Sequence, residues 1–210
     1  MPQVIIFDLD GTLIDSRKDL TKAINLTREY YKLPPLDLDT VCGFIGNGAR
    51  KLVKRSFKGT GVDIDDALPR NKKYYMEHIA DETVLYPGVR EGLQELVATG
   101  RKLAVITNKP DEAAKLLLEK LDVAKYFDEI MGGGCGHPLK PEPDALLYFA
   151  KKWNADVEKS WMVGDHYTDL ESGARAGMKC CWASYGFGDP KGLAYDLDAK
   201  SFAEFATCFL

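Results

Sequence analysis

The chain has no excess of positive charge. Its 210 residues carry 28 lysines and arginines against 32 aspartates and glutamates, which gives a net charge of −4. Binding to the phosphate backbone of a nucleic acid relies on clustered basic residues, so we expect no nucleic-acid partner. Chemistry on a phosphate group would have to use a few placed cations rather than a basic surface.

Long apolar runs and a cysteine framework are also missing. No stretch approaches the roughly 20 apolar residues that cross a bilayer, and the first residues lack the basic and then apolar pattern of a secretory signal. We therefore expect no membrane partner and predict a cytoplasmic protein. The five cysteines are odd in number and lack the spacing of a metal site or disulfide framework, which favours reduced thiols.

The chain does contain an apolar run with two carboxylates at its end. Val4 to Phe7 predicts a buried parallel strand, and Asp8 and Asp10 follow it. If the strand stayed extended, the two carboxylates would lie on one side and repel each other. A divalent cation is the simplest way to keep both ionised. Gly11 permits the backbone to turn after them.

A helical segment follows this strand. The predicted helices cover residues 16–31, 49–57 and 63–80. We predict Ser16 as the N-cap of the first helix, and Pro69 near the first turn of the third. No strand pattern interrupts the segment. We therefore predict that residues 16–82 form a helical module inserted into another domain.

From Leu85 onwards, predicted helices alternate with short apolar strands. The predicted strands are 102–106, 129–131, 160–163 and 179–183. Such alternation implies right-handed crossovers and an α/β fold, a Rossmann-like parallel sheet with helices on both faces. We assign residues 1–15 and 83–210 to this core domain.

The carboxyl ends of parallel strands meet at one edge of a sheet, where ligands bind. Asp8 and Asp10 follow the first strand, Thr107 the strand at 102–106, and Asp165 the strand at 160–163. Lys140 lies in a proline-rich loop that restrains its backbone. The sequence therefore predicts that these five residues converge on one site.

Four short motifs in this order resemble those of the haloacid dehalogenase superfamily. They are Asp8 to Leu13 after the apolar strand, Thr107 at a strand end, Lys140 to Asp144, and Gly164 to Asp169. The resemblance covers the whole chain and points to a phosphatase with a helical C1 cap. Within that group the chain is most similar to the phosphoglycolate phosphatases.

The resemblance implies roles for five residues. Asp8 would be the nucleophile, Asp10 the general acid and base, and Lys140 the cation that neutralises the phosphoryl group and the nucleophile. Mg²⁺ would be held by the Asp8 carboxylate, the Asp10 backbone carbonyl and Asp165, with Asp169 in support.

Substrate contacts are expected at two further places. Thr107 and Asn108 at the start of a helix would cradle the phosphate, although Thr107 could equally act only as a helix cap.

The glycine-rich stretch Gly46, Asn47 and Gly48 resembles the cap loop of the same group and would face the organic part of the substrate. Arg50 could meet a carboxylate there. The loop could also be a plain turn between helices.

The implied function is Mg²⁺-dependent hydrolysis of a small phosphate monoester through an aspartyl-phosphate, with 2-phosphoglycolate as the first candidate. A β-phosphoglucomutase-like sugar phosphomutase, a pyrophosphatase, a nucleotidase and a non-catalytic binding module stay open. Asp10 argues against dehalogenases and phosphonoacetaldehyde hydrolases, which lack an aspartate there. We expect a small-molecule phosphate ester as partner and a monomer or homodimer.

Overall fold

A parallel sheet of six strands forms the centre of the molecule, which we describe from a computed structural model covering residues 3–210. The strands in chain order are β1 (Val4–Phe7), β2 (Ile14–Asp15), β3 (Val84–Leu85), β4 (Lys102–Pro110), β5 (Glu129–Gly133), β6 (Trp161–Gly164), β7 (Lys179–Ala183) and β8 (Leu197–Ala199). The sheet order is β5-β4-β1-β6-β7-β8, and all neighbours pair in parallel.

The helices form two groups, since the first four lie between β2 and β3 and the others pack on the two faces of the sheet. They are α1 (Arg17–Tyr30), α2 (Leu38–Cys42), α3 (Ala49–Ser56), α4 (Ile64–Glu77), α5 (Val89–Ala98), α6 (Asp111–Lys120), α7 (Asp144–Lys152), α8 (Tyr167–Ala176) and α9 (Phe202–Thr207). Side chains alternate along β1: Ile5 and Phe7 join the core that includes α5, α6 and α9. Val4 and Ile6 join the core that includes α7. The predicted α/β fold is confirmed.

The helices α1 to α4 lie between the two short strands β2 and β3. These strands pair antiparallel, with Ile14 opposite Leu85 and Asp15 opposite Val84, so the chain leaves and re-enters the sheet domain side by side. This arrangement agrees with an inserted helical module. The division into a core of residues 1–15 and 83–210 and a cap of residues 16–82 stays a prediction.

Several local predictions differ from the structure. The helix α2 was not predicted because it has only five residues, and Asp37 caps it by accepting from the Thr40 amide at 2.7 Å. Pro69 is inside α4 rather than in its first turn, where its exposed ring removes one helical hydrogen bond. The strand β8 and helix α9 were also missed. Within residues 3–210, no helix is long and apolar enough to cross a membrane.

Candidate active site

Residues from separate strand ends converge at the carboxyl edge of the sheet, as the sequence predicts. Asp8 follows β1, Thr107 lies near the end of β4 and Asp165 follows β6, while Lys140 comes from the loop before α7. Asp8, Asp10 and Thr107 line one cavity, and Lys140 bonds directly to Asp8. All four motifs therefore contribute to one site.

Lys140 forms the charged centre of this site. Its ammonium nitrogen is 2.8 Å from Asp8 Oδ1 and 2.8 Å from Asp169 Oδ1, with 2% of its side chain exposed. It also donates to the Ile106 carbonyl at 2.6 Å. Burial disfavours the charged lysine, but Asp169 and Asp8 outweigh burial and hold its pKa above the usual range. Burial raises the pKa of Asp8 to about 6 against the opposing charge of Lys140.

Asp8, Asp165 and Asp169 form a buried acidic cluster. One oxygen of each lies within 4.8 Å of the others. Burial, followed by the charges of Asp169 and Asp8, raises the pKa of Asp165 well above its usual range. Three buried carboxylates with one lysine between them are costly unless a cation is added. Carboxylate oxygens are the ligands of hard divalent cations, so this donor set fits such a metal.

Backbone groups fix the two acidic residues that follow β6. Asp165 Oδ2 accepts from the amides of Phe187 at 3.0 Å and Gly188 at 2.7 Å. Asp169 Oδ2 accepts from the amide of His166 at 3.0 Å, which makes Asp169 part of the cap of α8. Asp169 therefore combines a structural contact with a place in the acidic cluster.

Two glycines leave the space that these carboxylates occupy. A Cβ on Gly11 would lie 1.9 Å from Asp165 Oδ2, and a Cβ on Gly164 would lie 2.2 Å from Asp169 Oδ2. Gly11 also has a φ of +86°, which an L side chain rarely adopts. Gly11 is therefore required both for the turn and for the close approach of Asp165, and Gly164 is required for the close approach of Asp169.

Asp10 has a different partner from Asp8. Lys109 Nζ donates to Asp10 Oδ1 at 2.8 Å and Oδ2 at 2.9 Å, and the Ser16 hydroxyl donates to Oδ1 at 2.5 Å. Ser16 is the N-cap residue of α1, as predicted, but its hydroxyl is used by Asp10 and makes no capping hydrogen bond. The strand ends at Phe7, so the assumption of an extended strand with both carboxylates on one side does not apply.

The side chain of Asp10 is outside the acidic cluster formed by the described residues. The predicted metal contact of Asp10, through its backbone carbonyl, stays a prediction. The contact of Lys109 with Asp10 is not predicted, because the local sequence indicates only a lysine that follows the predicted strand 102–106. Only the fold brings it to an aspartate 99 positions earlier.

Comparison with known proteins now decides the family. The model of the haloacid dehalogenase-like hydrolases matches residues 5–183. The chain belongs to this family. The phosphoglycolate phosphatase of Pseudomonas putida is 37% identical over 193 residues, which are 89% of this chain and 71% of that protein. The phosphoglycolate phosphatase of Chromobacterium violaceum is 36% identical over 96% of this chain and 94% of its own length.

A solved structure is similar over the full length of this hydrolase. The crystal structure of a predicted phosphoglycolate phosphatase from Haemophilus somnus superposes with a TM-score of 0.94 at 29% sequence identity, covering 99% of this chain and 98% of that one. The arrangement of the sheet and of the helices between β2 and β3 is therefore that of a known phosphatase-like fold.

Thr107 and Asn108 differ in what their side chains contact in this hydrolase. The Thr107 hydroxyl is buried, lines the cavity and accepts from the Lys109 amide at 3.3 Å. Asn108 donates to the carbonyls of Gly46 at 3.0 Å and Lys140 at 2.9 Å, and accepts from the Lys140 amide at 2.8 Å. The side chain of Asn108 thus positions the lysine loop, and substrate contact by Asn108 stays a prediction.

Protein contacts also occupy the polar side chain of the predicted cap loop. Asn47 Nδ2 donates to the Tyr167 hydroxyl at 2.9 Å, and Asn47 Oδ1 accepts from Arg55 at 2.8 Å. Gly46, with a φ of +101°, packs so closely on the His166 ring that a Cβ would lie 2.8 Å from it. These contacts connect the helical segment to α8.

Gly48 and Arg50 lie at the start of α3 and line the cavity. A Cβ on Gly48 would lie 3.3 Å from the Asn108 carbonyl, so this backbone approaches the sheet domain closely. Arg50 Nη1 is 2.6 Å from Asp65 Oδ1, and 60% of the Arg50 side chain is exposed. Arg50 is therefore held at the rim by an acidic neighbour.

The hydrolase has a cavity of about 390 Å³ between α3, α4 and the end of β4. Asp8, Asp10, Thr107 and Lys109 lie on the sheet side of this cavity. The helical side is mostly apolar and includes Leu52, Leu68 and Met76. A small ester in this cavity would have its reacting group at Asp8 and its organic part against the helices.

His166 lies directly after Asp165, beside the acidic cluster. It caps α8, and its Nδ1 is 2.9 Å from the Thr168 hydroxyl. Burial lowers the pKa of His166 to about 4, so its ring is neutral near pH 7. A neutral ring between Gly46 and the acidic cluster serves packing and capping rather than charge.

Proposed function

We propose that this hydrolase is a Mg²⁺-dependent phosphatase that cleaves a small phosphate monoester, with 2-phosphoglycolate as the first candidate. The observation that carries the proposal is the buried pair of Lys140 with Asp8, which belongs to the acidic cluster and lines a cavity large enough for a small ester. The names of the relatives that cover most of this chain support the same reaction and substrate.

Asp8 would carry the phosphoryl group. Its carboxylate oxygen attacks phosphorus, the bond from phosphorus to the ester oxygen breaks, and an aspartyl-phosphate forms. Lys140 offsets the repulsion between an anionic nucleophile and an anionic phosphate, since it lies 2.8 Å from Asp8. Mg²⁺ held by the Asp8 carboxylate, the Asp10 backbone carbonyl and Asp165, with Asp169 in support, would supply further positive charge to the phosphate oxygens.

Asp10 would handle the proton in both steps. It gives a proton to the departing alcohol oxygen, and the carboxylate that remains then takes a proton from the water that hydrolyses the aspartyl-phosphate. One residue can serve both steps because the product of the first step is the base of the second. The hydrogen bonds from Lys109 and Ser16 hold this side chain in place.

The site would be closed by the helical module. The contacts of Asn47 with Tyr167 and of Asn108 with the Gly46 carbonyl join the module to the sheet domain. Closure excludes bulk water and strengthens the electrostatic contacts inside. We propose a cytoplasmic monomer or homodimer, and light scattering after size exclusion would measure the mass.

The direct test is phosphate release from a panel of esters. We expect release from 2-phosphoglycolate and p-nitrophenyl phosphate with Mg²⁺, loss of release with EDTA, and loss in the Asp8→Asn variant. Formation of an isomer from a hexose phosphate without inorganic phosphate would select a phosphomutase instead. Faster release from pyrophosphate or a nucleotide than from every small ester would select those activities. No release from any compound would refute an enzyme of this class.

A further inference from the structure

Two buried polar side chains line the cavity but have no role of their own in the proposed phosphoryl transfer. Lys109 has 2% of its side chain exposed, and its ammonium is 4.7 Å from the centre of the Tyr75 ring. The Tyr75 hydroxyl is buried and has no hydrogen-bond partner within residues 3–210. Both residues line the cavity that also holds Asp8 and Asp10.

Such groups are costly unless a ligand satisfies them. A buried hydroxyl without a partner costs about 1–3 kcal/mol, and few such groups occur in native proteins. An ammonium has three protons to donate, and Lys109 directs its hydrogen bonds to the two oxygens of Asp10. The phenolic proton of Tyr75 is therefore available to a further acceptor in the cavity, and the ammonium of Lys109 beside it supplies positive charge.

The surroundings favour an anionic acceptor. A cation and a hydroxyl both donate, and the apolar wall formed by residues such as Leu68 and Met76 strengthens any charge pair made against it. Lys109 is two residues after Thr107 in β4, beside the proposed phosphate position. An acceptor on Lys109 would thus be attached to the ester oxygen through a short chain.

We propose that Lys109 and Tyr75 form a binding site for a carboxylate carried by the leaving alcohol of the substrate. This inference rests on the proposed phosphatase function and adds to it the residues that select the organic part. Arg50, which the sequence suggested for this task, is instead paired with Asp65 at the exposed rim.

Binding of the carboxylate also affects Asp10. Without substrate, Asp10 holds Lys109 through both carboxylate oxygens. A substrate carboxylate offers Lys109 a second anionic partner, and the bidentate contact with Asp10 loosens. Asp10 is then free to approach the leaving oxygen. A neutral leaving group gives no such exchange, so it is disfavoured in the reaction as well as in binding.

The experiment compares two esters of equal chain length. 2-Phosphoglycolate carries the carboxylate, and ethyl phosphate has a methyl group in its place. The readout is the ratio of kcat/KM for the two esters, measured with Mg²⁺ for wild type, Lys109→Met and Tyr75→Phe. The matched controls are Lys73→Met and Tyr74→Phe, which alter the same residue types on α4 outside the cavity lining.

We expect Lys109→Met to lower the ratio by about 10- to 100-fold, the factor for a lost hydrogen bond to a charged group, and Tyr75→Phe to lower it several-fold. The controls keep the wild-type ratio. Any general damage through Asp10 affects both esters and cancels in the ratio. If Lys109→Met fails to fold, Tyr75→Phe decides, because it keeps the pair of Lys109 and Asp10.

Three results would overturn the inference. One is a wild-type ratio near 1, and another is a ratio that stays at the wild-type value in both variants; in either case phosphate release itself would leave the phosphatase function in place. The third is no release from 2-phosphoglycolate by wild type, which would refute the carboxylate site; the phosphatase function would fail with it only if no ester of the panel, p-nitrophenyl phosphate included, released phosphate.

Discussion

Replacing Gly11 by alanine should displace the carboxylate of Asp165 and so disturb the acidic cluster. The added Cβ would lie 1.9 Å from Asp165 Oδ2, a distance that forces the carboxylate to move. The same oxygen accepts from two backbone amides, so Asp165 cannot move without losing a contact. Both stability and metal binding should therefore suffer.

The magnitude can be separated into two parts with a matched variant. Gly61 has a φ of +77°, close to the +86° of Gly11, but a Cβ there meets nothing within 4 Å. Gly61→Ala should therefore cost only the left-handed backbone, about 1–2 kcal/mol of unfolding free energy. Gly11→Ala should cost this plus about 1–3 kcal/mol for overpacking.

Urea denaturation of both variants in EDTA gives the two free energies of unfolding. Phosphate release as a function of Mg²⁺ concentration gives the half-saturating metal concentration. We expect Gly11→Ala to need at least about tenfold more Mg²⁺, the change in a ligand's affinity when a supporting contact is lost, and Gly61→Ala to match wild type. Equal losses of stability with an unchanged Mg²⁺ requirement in both variants would refute the reasoning.

Four other changes test the site. Asp8→Asn should abolish phosphate release while the protein stays folded, and intact turnover would remove the covalent step. Mg²⁺ at 100 times its Kd should raise the free energy of unfolding of wild type by about 2.7 kcal/mol, measured by thermal denaturation. An equal rise in the Asp165→Asn variant would contradict the metal site. Asn47→Ala should lower kcat/KM by the same factor for every ester, because its amide bonds to Tyr167; loss confined to one ester would show direct substrate contact. Arg50→Ala should change the free energy of unfolding by less than about 1 kcal/mol, since the ion pair of Arg50 with Asp65 is exposed. It should also leave the ratio of kcat/KM between carboxylated and neutral esters unchanged; a loss of kcat/KM for carboxylated esters alone would show that Arg50 contacts the substrate.

The sheet and the motif positions could be predicted because their patterns are local. Val4 to Phe7 is a continuous apolar run, and a strand buried on both faces requires one. The tail of the chain was harder, since β8 (Leu197–Ala199) has only three residues. The helix α9 did carry a local pattern: Ser201 stands three residues before Glu204 and accepts from its amide at 3.1 Å.

The partners of the site residues could not be predicted because the fold chooses them. Ser16 has the sequence context of a helix cap, yet its hydroxyl bonds to Asp10 six positions earlier. Asn47 has the context of a turn or a substrate contact, yet it bonds to Tyr167 across 120 positions. Sequence fixes which polar groups are available near a site, and only packing decides which of them meet.

The two lysines explain how aspartates one residue apart can perform different tasks. Lys109 is paired with Asp10 and with no other carboxylate within residues 3–210. Lys140 is shared between Asp8 and Asp169, and Asp165 has only backbone donors among the described residues. When ionised, the acidic cluster thus keeps two negative charges beyond what its lysine offsets, which is the charge of a divalent cation. The proposed metal would therefore be attracted to the side of Asp8, and the side of Asp10 would be left for the proposed proton transfer.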